Sequence, residues 1–300
     1  MHLRGKWYGA RHRSAWFGLL LMVVSAAGWT ETSRPVATFD WGIAETLLAL
    51  DVAPVAMGSV HAFHDWTGDT YASSEIIDVG VQTLPNLELL DRMSPRRILL
   101  PPRHRHREAL MSRLGKTARL DHYPYAGSEG DFWPRMRAFT EEAGELVGKA
   151  PEARRLIRET AEHFDELASR LNGQAPPLLV VQLQDERHLR VYGEHSLFQA
   201  VLERLGLKNA WQGSTNQWGY TLVGLDELLT MEARLVIIEG ALPVGIERRL
   251  SSSGMWRLLP SVRRGDTIVL SSSFWIAGTL PSANRFAEAL VEALAGAGDG

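Results

Sequence analysis

The chain has 300 residues, of which 45% are apolar and 22% charged, a balance that folds around hydrophobic cores and excludes wholesale disorder. The formal net charge is −3 and there is no cysteine. An acidic chain is a poor general binder of nucleic acid. Without thiols, disulfides, thiolate metal sites, a cysteine nucleophile and lipid attachment through an N-terminal cysteine are excluded.

The first residues have the three-part layout of a secretory signal peptide. Residues 1–14 are basic and contain no acid, residues 15–24 are apolar, and Ser25 and Ala27 supply small residues for a cleavage site. The apolar run is about half of the roughly 20 residues that a membrane span needs, which favours cleavage over a permanent anchor. We expect residues 1–27 to be removed near Ala27, leaving a soluble monomer of net charge −7 in a Gram-negative periplasm.

Short apolar segments alternate with helical ones in the first third of the remaining chain. The strand candidates are Val36-Ala-Thr-Phe, Val55-Ala-Met-Gly and Arg97-Ile-Leu-Leu. Helical spacing occurs over Ile43–Leu50 and Asn86–Met93. This alternation predicts a mostly parallel α/β sheet.

A long helical stretch follows from about Trp133 to Leu171, with interruptions at Gly148 and Pro151. Its second part alone would be about 31 Å long at 1.5 Å per residue, enough to cross a domain. The alternation then resumes. The predicted strands are Leu178–Gln182, Arg234–Ile238 and Thr267–Leu270, and the predicted helices are His195–Leu205, Leu225–Met231 and Ser282–Ala295.

These elements predict an α/β protein of two lobes joined by one long central helix. The expected boundaries are an N-terminal lobe over 28–132, a connecting helical backbone over 133–172 and a C-terminal lobe over 173–300. A cleft between two lobes is a usual place for a small ligand.

No familiar catalytic motif occurs in the sequence. There is no phosphate-binding loop, no nucleophile elbow and no His-Glu-x-x-His. An exported α/β hydrolase with residues scattered along the chain remains the alternative from a different class of protein.

Four segments together resemble the periplasmic ferric hydroxamate-binding proteins, within the helical-backbone group that binds iron chelates and cobalamin. They are Val79-Gly-Val-Gln-Thr-Leu-Pro-Asn-Leu-Glu-Leu-Leu90, Tyr192-Gly-Glu-His-Ser-Leu-Phe-Gln199, Asn209-Ala-Trp-Gln-Gly-Ser-Thr-Asn-Gln-Trp-Gly219 and Phe274-Trp-Ile-Ala-Gly-Thr-Leu280. The similarity is colinear from about Val36 to the last helix. It implies a binding protein, not an enzyme, that delivers an iron(III)-siderophore to an inner-membrane ABC permease and its ATPase. The siderophore is then a ligand, and no cofactor is implied.

A ferric ion held by three hydroxamates is fully coordinated and close to neutral, so the protein should offer aromatic surface and hydrogen bonds instead of metal ligands. By resemblance, Trp66, Trp218 and Trp275 fall at or near aromatic ligand-contact positions, with Asn216 beside them. Trp211 belongs to the same motif and could equally serve packing.

The resemblance also shows a changed anchor. Where related proteins hold hydroxamate oxygens with an arginine and a tyrosine, this chain has Gln82 and His104. Glutamine donates hydrogen bonds without a charge. Arg190 is the expected substitute, because its planar fork can donate two bonds to adjacent oxygens. A solvated strand-end arginine, or an anchor in the run 103–107, are the other interpretations.

The run Arg103-His-Arg-His-Arg107 leaves further ligands open. His104 and His106, with His61 and His64, could be metal ligands for zinc or haem, although a solvated loop is the simpler interpretation. If the run faces the cleft, it would attract an anionic ferric chelate such as a citrate or catecholate complex. Haem and cobalamin are the remaining alternatives.

Two acids are candidates for contact with the permease. In this transporter group, exposed glutamates on the two lobes are expected to meet arginines of the membrane subunits, and Glu108 and Glu227 occupy roughly corresponding positions at predicted helix starts. Acids there are also favoured by the helix dipole, so simple capping is the competing explanation.

Overall fold

The computed structural model describes residues 35–71, 74–125, 131–171, 175–240, 246, 249–250, 253–271 and 273–296. The expected signal peptide, residues 1–27, and its cleavage near Ala27 lie outside the described residues and stay predictions. Among the helices within these ranges, none combines the length and the apolar character that crossing a bilayer requires.

The first half of the chain builds a five-stranded parallel sheet. Its strands are β1 (Val36–Thr38), β2 (Ala56–Met57), β3 (Ile77–Asp78), β6 (Arg97–Leu100) and β7 (Lys116–Arg119), in the order β3-β2-β1-β6-β7. A small antiparallel hairpin, β4 (Gly80–Val81) and β5 (Leu84–Pro85), follows β3. The helices of this half are α1 (Trp41–Ala49), α2 (Val60–Thr67), α3 (Leu87–Met93) and α4 (Glu108–Met111).

Side-chain caps explain where two of these helices begin. The carboxylate of Asp40 accepts a hydrogen bond from the Ile43 amide at 2.9 Å, which starts α1 directly after β1. The amide oxygen of Asn86 accepts from the Leu89 amide at 3.0 Å and starts α3. The strands and helices that the sequence predicts in this region agree with the observed bounds to within one or two residues.

The predicted helical connection consists of two consecutive helices, α5 (Phe132–Val147) and α6 (Ala150–Arg170), which pack against each other. Gly148 ends α5 with a φ of 79°, a conformation that glycine adopts without strain. Pro151 lies in the first turn of α6, where no backbone N–H donor is missed. Both interruptions that the sequence predicts thus mark the same break between the two helices.

The second half builds a mixed five-stranded sheet. Its strands are β8 (Leu178–Leu183), β9 (His188–Tyr192), β10 (Tyr220–Gly224), β11 (Arg234–Ile238) and β12 (Ile268–Leu270), in the order β10-β9-β8-β11-β12. The pairs β8–β11 and β11–β12 are parallel, whereas β9 pairs antiparallel with both β8 and β10. The helices described here are α7 (Leu197–Arg204), α8 (Gly254–Leu258), α9 (Pro260–Arg264) and α10 (Leu280–Gly296).

The structure departs from the sequence prediction in this half. The antiparallel ribbon β9–β10 was not predicted, although buried Leu189 and Val191 alternate with His188 and Arg190 along β9. The helix predicted over Leu225–Met231 is only a 3-10 turn, Leu225–Leu228. The strand β8, buried along its whole length, and the final helix α10 are confirmed.

One hydrophobic core extends through both halves of the molecule. It joins Leu99 of the first sheet to Val236 of the second through Phe139 on α5, Phe164 on α6 and Phe286 on α10. The helix α10 also packs against α1, so the C-terminal segment returns to the N-terminal half. Close packing of this kind resists deformation.

Candidate ligand-binding site

A cleft of about 320 Å³ lies between the two sheets, a volume within the range of small-molecule sites. Its walls come from both halves of the chain and consist mainly of aromatic and hydrogen-bonding side chains. The lining residues are Asp40, Trp41, Gln82, Arg103, Tyr123, Arg190, Tyr192, Trp218, Tyr220, Trp275, Ile276 and Ala277.

The N-terminal wall is built around Asp40, Arg103 and Tyr123. The Asp40 Oδ2 atom accepts a hydrogen bond from the Tyr123 hydroxyl at 2.8 Å and forms an ion pair with Arg103. Arg103 also donates to the Tyr123 hydroxyl at 3.1 Å. The carboxylate is almost fully buried, while one third of the Arg103 side chain is exposed, at 33%. Asp40 therefore holds Arg103 in place and leaves part of the guanidinium open to the cleft.

This triad has well-defined protonation. Burial, and then the negative charge of Asp40, raises the pKa of Tyr123 well above its ordinary value, so the phenol stays protonated and donates to the carboxylate. Burial alone would lower the pKa of Arg103, but Asp40 and Tyr123 raise it above its ordinary value. Arg103 is consequently a permanent cation.

Tryptophans form the second wall. The ring of Trp275 contacts Trp41 at a centroid distance of 4.6 Å and Trp66 at 5.2 Å, both edge to face. Trp41 is fixed by a hydrogen bond from its Nε1 to the Gly58 carbonyl at 2.9 Å. Trp66 is not among the lining residues; its partly buried ring contacts Trp275, and a Cβ on Gly240 would come within 3.0 Å of it.

A buried network behind this wall fixes Trp275. Its backbone amide donates to the Ser282 hydroxyl at 2.9 Å, and that hydroxyl donates to the fully buried Glu45. Glu45 also accepts from Thr279 and pairs with Arg285 at 3.1 Å. Burial raises the pKa of Glu45 above its ordinary value, against the lowering influence of Arg285. Because Glu45 lies on α1 and the other members lie on or next to α10, the network ties the two ends of the described chain together.

The C-terminal wall consists of cross-strand neighbours on β8, β9 and β10. Arg190 donates to the Gln182 Oε1 atom at 3.3 Å, and the Tyr192 hydroxyl donates to the same atom at 3.3 Å. The Arg190 guanidinium lies over the Tyr220 ring at 4.6 Å. Arg190 thus lines the cleft from the second sheet, and Gln182 orients it.

Trp218 connects the two walls. The Arg103 guanidinium lies 5.4 Å from its ring centroid, and Tyr125 lies 5.8 Å away. Asn216 accepts a hydrogen bond from the Trp218 amide at 2.8 Å but does not line the cleft. Asn216 is therefore placed to orient Trp218, and the ligand contact predicted for it stays a prediction.

The two residues predicted at the changed anchor lie in different places. Gln82 lines the cleft from the turn between β4 and β5, and its backbone carbonyl accepts a hydrogen bond from the Arg107 guanidinium at 3.1 Å. His104 is buried in the 3-10 turn Pro102–Arg107 and does not line the cleft. Burial, and then the charge of Arg103, lowers the pKa of His104 to about 4, so its imidazole is neutral at neutral pH.

Of the run 103–107, Arg103 lines the cleft, which makes it the candidate cationic anchor of the first lobe. Sequence reasoning missed Asp40, Trp41 and Tyr123. The sequence did contain a signal for the pairing of Asp40 with Arg103. Asp40 follows β1 and Arg103 follows β6, and these two strands are parallel neighbours whose carboxyl ends meet. Ligands bind beside such strand ends in open α/β sheets.

The remaining candidates lie outside the cleft lining. Trp211 packs against the hydrophobic core of the second sheet and closely against Gly193, which fits a packing role. His61 is 95% exposed and pairs loosely with Asp65. Within the described ranges, no group of three or more His, Asp or Glu side chains is arranged to hold a metal ion.

The two candidate docking acids are at the surface. Glu108 begins α4, and its carboxylate lies 3.6 Å from Arg119. Glu227 is the third residue of its 3-10 turn and accepts from the Gly224 amide at 3.4 Å. Both acids are thus engaged in local structure while partly open to solvent.

The molecule has two β-sheets with flanking helices, one core shared by both halves, and a cleft lined by residues of both halves. This is the architecture of a two-lobed binding protein. The chain belongs to the periplasmic binding protein family, whose model matches residues 36–274. Members of this family are binding proteins rather than enzymes.

Several individual proteins are similar to this chain over most of its length. The iron(3+)-hydroxamate-binding protein FhuD of Escherichia coli strain K12 is 28% identical over 262 residues, which cover 87% of each chain. The Vibrio cholerae FhuD structure with bound Fe3+-Desferal has a TM-score of 0.80 at 24% identity and covers 89% of this chain and 99% of that one. The triscatecholate siderophore-binding protein FeuA of Bacillus subtilis has a TM-score of 0.69 at 20% identity, covering 89% and 94%. The two-lobed α/β fold that the sequence predicts is confirmed by these structures.

Proposed function

We propose that this protein is the periplasmic receptor of an ABC importer and binds an iron(III)-siderophore complex of hydroxamate type. The composition of the cleft carries the proposal: three tryptophans and three tyrosines surround two arginines. A ferric ion wrapped in hydroxamates presents apolar arms and oxygen acceptors, which aromatic faces and N–H donors match. The names of the related E. coli and V. cholerae proteins refer to ligands of this kind.

In this proposal Arg103, Arg190 and Gln82 donate to ligand oxygens, and Trp218 and Trp275 contact the arms of the chelate. Trp66 and Asn216 act through these tryptophans. The chain is exported, cleaved near Ala27 and active as a monomer, with lobes over 28–132 and 173–300 on either side of the connection 133–172. Its partners are the siderophore and an inner-membrane permease with its ATPase.

Intrinsic tryptophan fluorescence tests the proposed function. Because Trp41, Trp218 and Trp275 line the cleft, ferrichrome and ferrioxamine B are each expected to quench the emission in a saturable manner, whereas the iron-free chelators are not. A hydrolase would be indifferent to the chelate. Failure of both ferric complexes to quench, or saturable quenching by haem or cobalamin alone, would overturn the assignment.

Matched tryptophan variants identify the rings that respond. Trp275→Phe and Trp218→Phe are expected to remove part of the quenching amplitude. Trp133 serves as the control, because it packs on Phe164 at a centroid distance of 4.8 Å in the core and does not line the cleft. Trp133→Phe should therefore lower the total emission and keep the ligand-dependent change.

Delivery to the permease is proposed to use Glu108 and Glu227. Reversing both to lysine is expected to abolish siderophore-dependent growth in an iron-limited host while the affinity measured in solution stays within about twofold. The control pair is Glu159 and Glu162, changed to lysine in the same way, because both lie on the connecting helix α6 and not in either lobe. If the lobe double variant supports growth as well as the control pair does, these glutamates do not dock the permease.

A further inference from the structure

The charges that line the cleft do not balance. In the described part of the chain, the charged residues that line the cleft are Asp40, Arg103 and Arg190, and Asp40 neutralises Arg103 through their ion pair. Arg190 faces the same cleft from the second sheet, and among the described residues no carboxylate lies within 4.0 Å of it. The part of the cleft lining that the structure describes therefore carries one uncompensated positive charge.

The partners of Arg190 hold its position without cancelling its charge. Gln182 accepts one hydrogen bond, and the Tyr220 ring lies under the guanidinium. A guanidinium has five N–H donors, so a planar pair of donors remains for an incoming group. Such a fork matches a carboxylate in two parallel hydrogen bonds, which a lysine or an amide cannot reproduce.

The surroundings of the cleft increase this positive field. Arg105 and Arg107 follow Arg103 in the 3-10 turn beside the cleft, although the whole chain has a net charge of −3. A local patch of positive charge on an acidic protein concentrates anions at that site and speeds their encounter. Both the positive charge in the cleft and the electrostatic attraction during encounter therefore favour a negatively charged ligand.

We propose that the preferred ligand is a ferric hydroxamate complex that carries a free carboxylate, with that carboxylate bound by Arg190. The inference rests on the proposed function and names its substrate class. The neutral iron-hydroxamate core then lies against the tryptophans and Arg103, and the anionic arm points to the second sheet.

Three ferrioxamine derivatives isolate the effect of charge. Ferrioxamine B ends in an ammonium, its N-acetyl derivative ends in a neutral amide, and its N-succinyl derivative ends in a carboxylate, on the same iron core. We expect the N-succinyl complex to bind about tenfold more tightly than the N-acetyl complex, which corresponds to replacing a neutral hydrogen bond by a charge-assisted pair. The ammonium form should bind most weakly.

The variant Arg190→Gln tests whether this residue supplies the selectivity. It should reduce the roughly tenfold advantage of the N-succinyl complex over the N-acetyl complex to less than about twofold, whatever loss of affinity the two complexes share. Arg187→Gln is the matched control, because Arg187 is exposed at the start of the same ribbon and does not line the cleft. Equal binding of all three complexes, or selectivity that survives Arg190→Gln, would overturn this inference while the proposed function stands. Binding of none of the three would overturn the proposed function itself.

Discussion

Replacing Arg103 with alanine is expected to weaken the binding of ferric hydroxamates by about 10- to 100-fold. The guanidinium is partly exposed in the cleft, between the Tyr123 and Trp218 rings at 5.4 Å from each. Hydrogen bonds from a charged donor contribute about 1.5–3 kcal/mol, and each 1.4 kcal/mol corresponds to a tenfold change in affinity. Calorimetric titration with ferrichrome measures the loss.

The same substitution leaves the Asp40 carboxylate buried with fewer donors, so stability must be followed in parallel. Arg103→Lys keeps the positive charge beside Asp40 and removes the planar fork, and it is expected to fold normally and to bind with intermediate affinity. Arg105→Ala, two residues along the same turn and exposed, should bind like the parent. If Arg103→Ala folds and retains parental affinity, the anchor of the first lobe is not Arg103.

Glu45→Ala is expected to destabilise the fold by about 3–5 kcal/mol, the usual consequence of removing one partner from a buried ion pair. Arg285 would then be left with a largely buried charge, and Thr279 and Ser282 would lose their shared acceptor. Urea denaturation, followed by far-UV circular dichroism, measures the free energy of unfolding.

A surface ion pair on the same helix supplies the control. Glu288 on α10 pairs with His163 at 2.9 Å and is half exposed, so Glu288→Ala should change the free energy of unfolding by less than about 1 kcal/mol. Glu45→Gln preserves the shape and should fall between the two. Because Ser282 links Glu45 to the Trp275 amide, the Glu45 variants that remain folded should also show a smaller ligand-dependent fluorescence change. A loss for Glu45→Ala no larger than that for Glu288→Ala would contradict the structural role of the network.

The two arginines of the cleft therefore have different physical roles. Arg103 is held by a carboxylate and a phenol, so it offers a positioned donor with its charge already compensated. Arg190 is held by an amide and a ring, so its charge remains available to the ligand. We propose that the same residue type supplies general hydrogen bonding from one lobe and charge selectivity from the other.

Local pattern was sufficient to predict the order of the elements. The spacing of apolar residues, which is visible in the sequence, predicts both the elements and their buried residues. This holds for the strands β1, β6, β8 and β11 and for the helices α5, α6 and α10. The ribbon β9–β10 was missed because its inward and outward residues depend on a cleft that forms only after folding.

The sequence by itself determined the two-lobed α/β architecture, the cleft, and the candidate walls Trp218, Trp275 and Arg190, since each depends on local pattern or on a colinear motif. Only the tertiary structure decided that Asp40, Arg103 and Tyr123 form one hydrogen-bonded group, that Trp66 contacts Trp275, and that His104 is buried and neutral. The physical reason is that hydrogen bonds and burial are set by packing between residues far apart in the chain. Asp40 lies 63 residues from Arg103 and 83 from Tyr123, a relation that no local spacing contains.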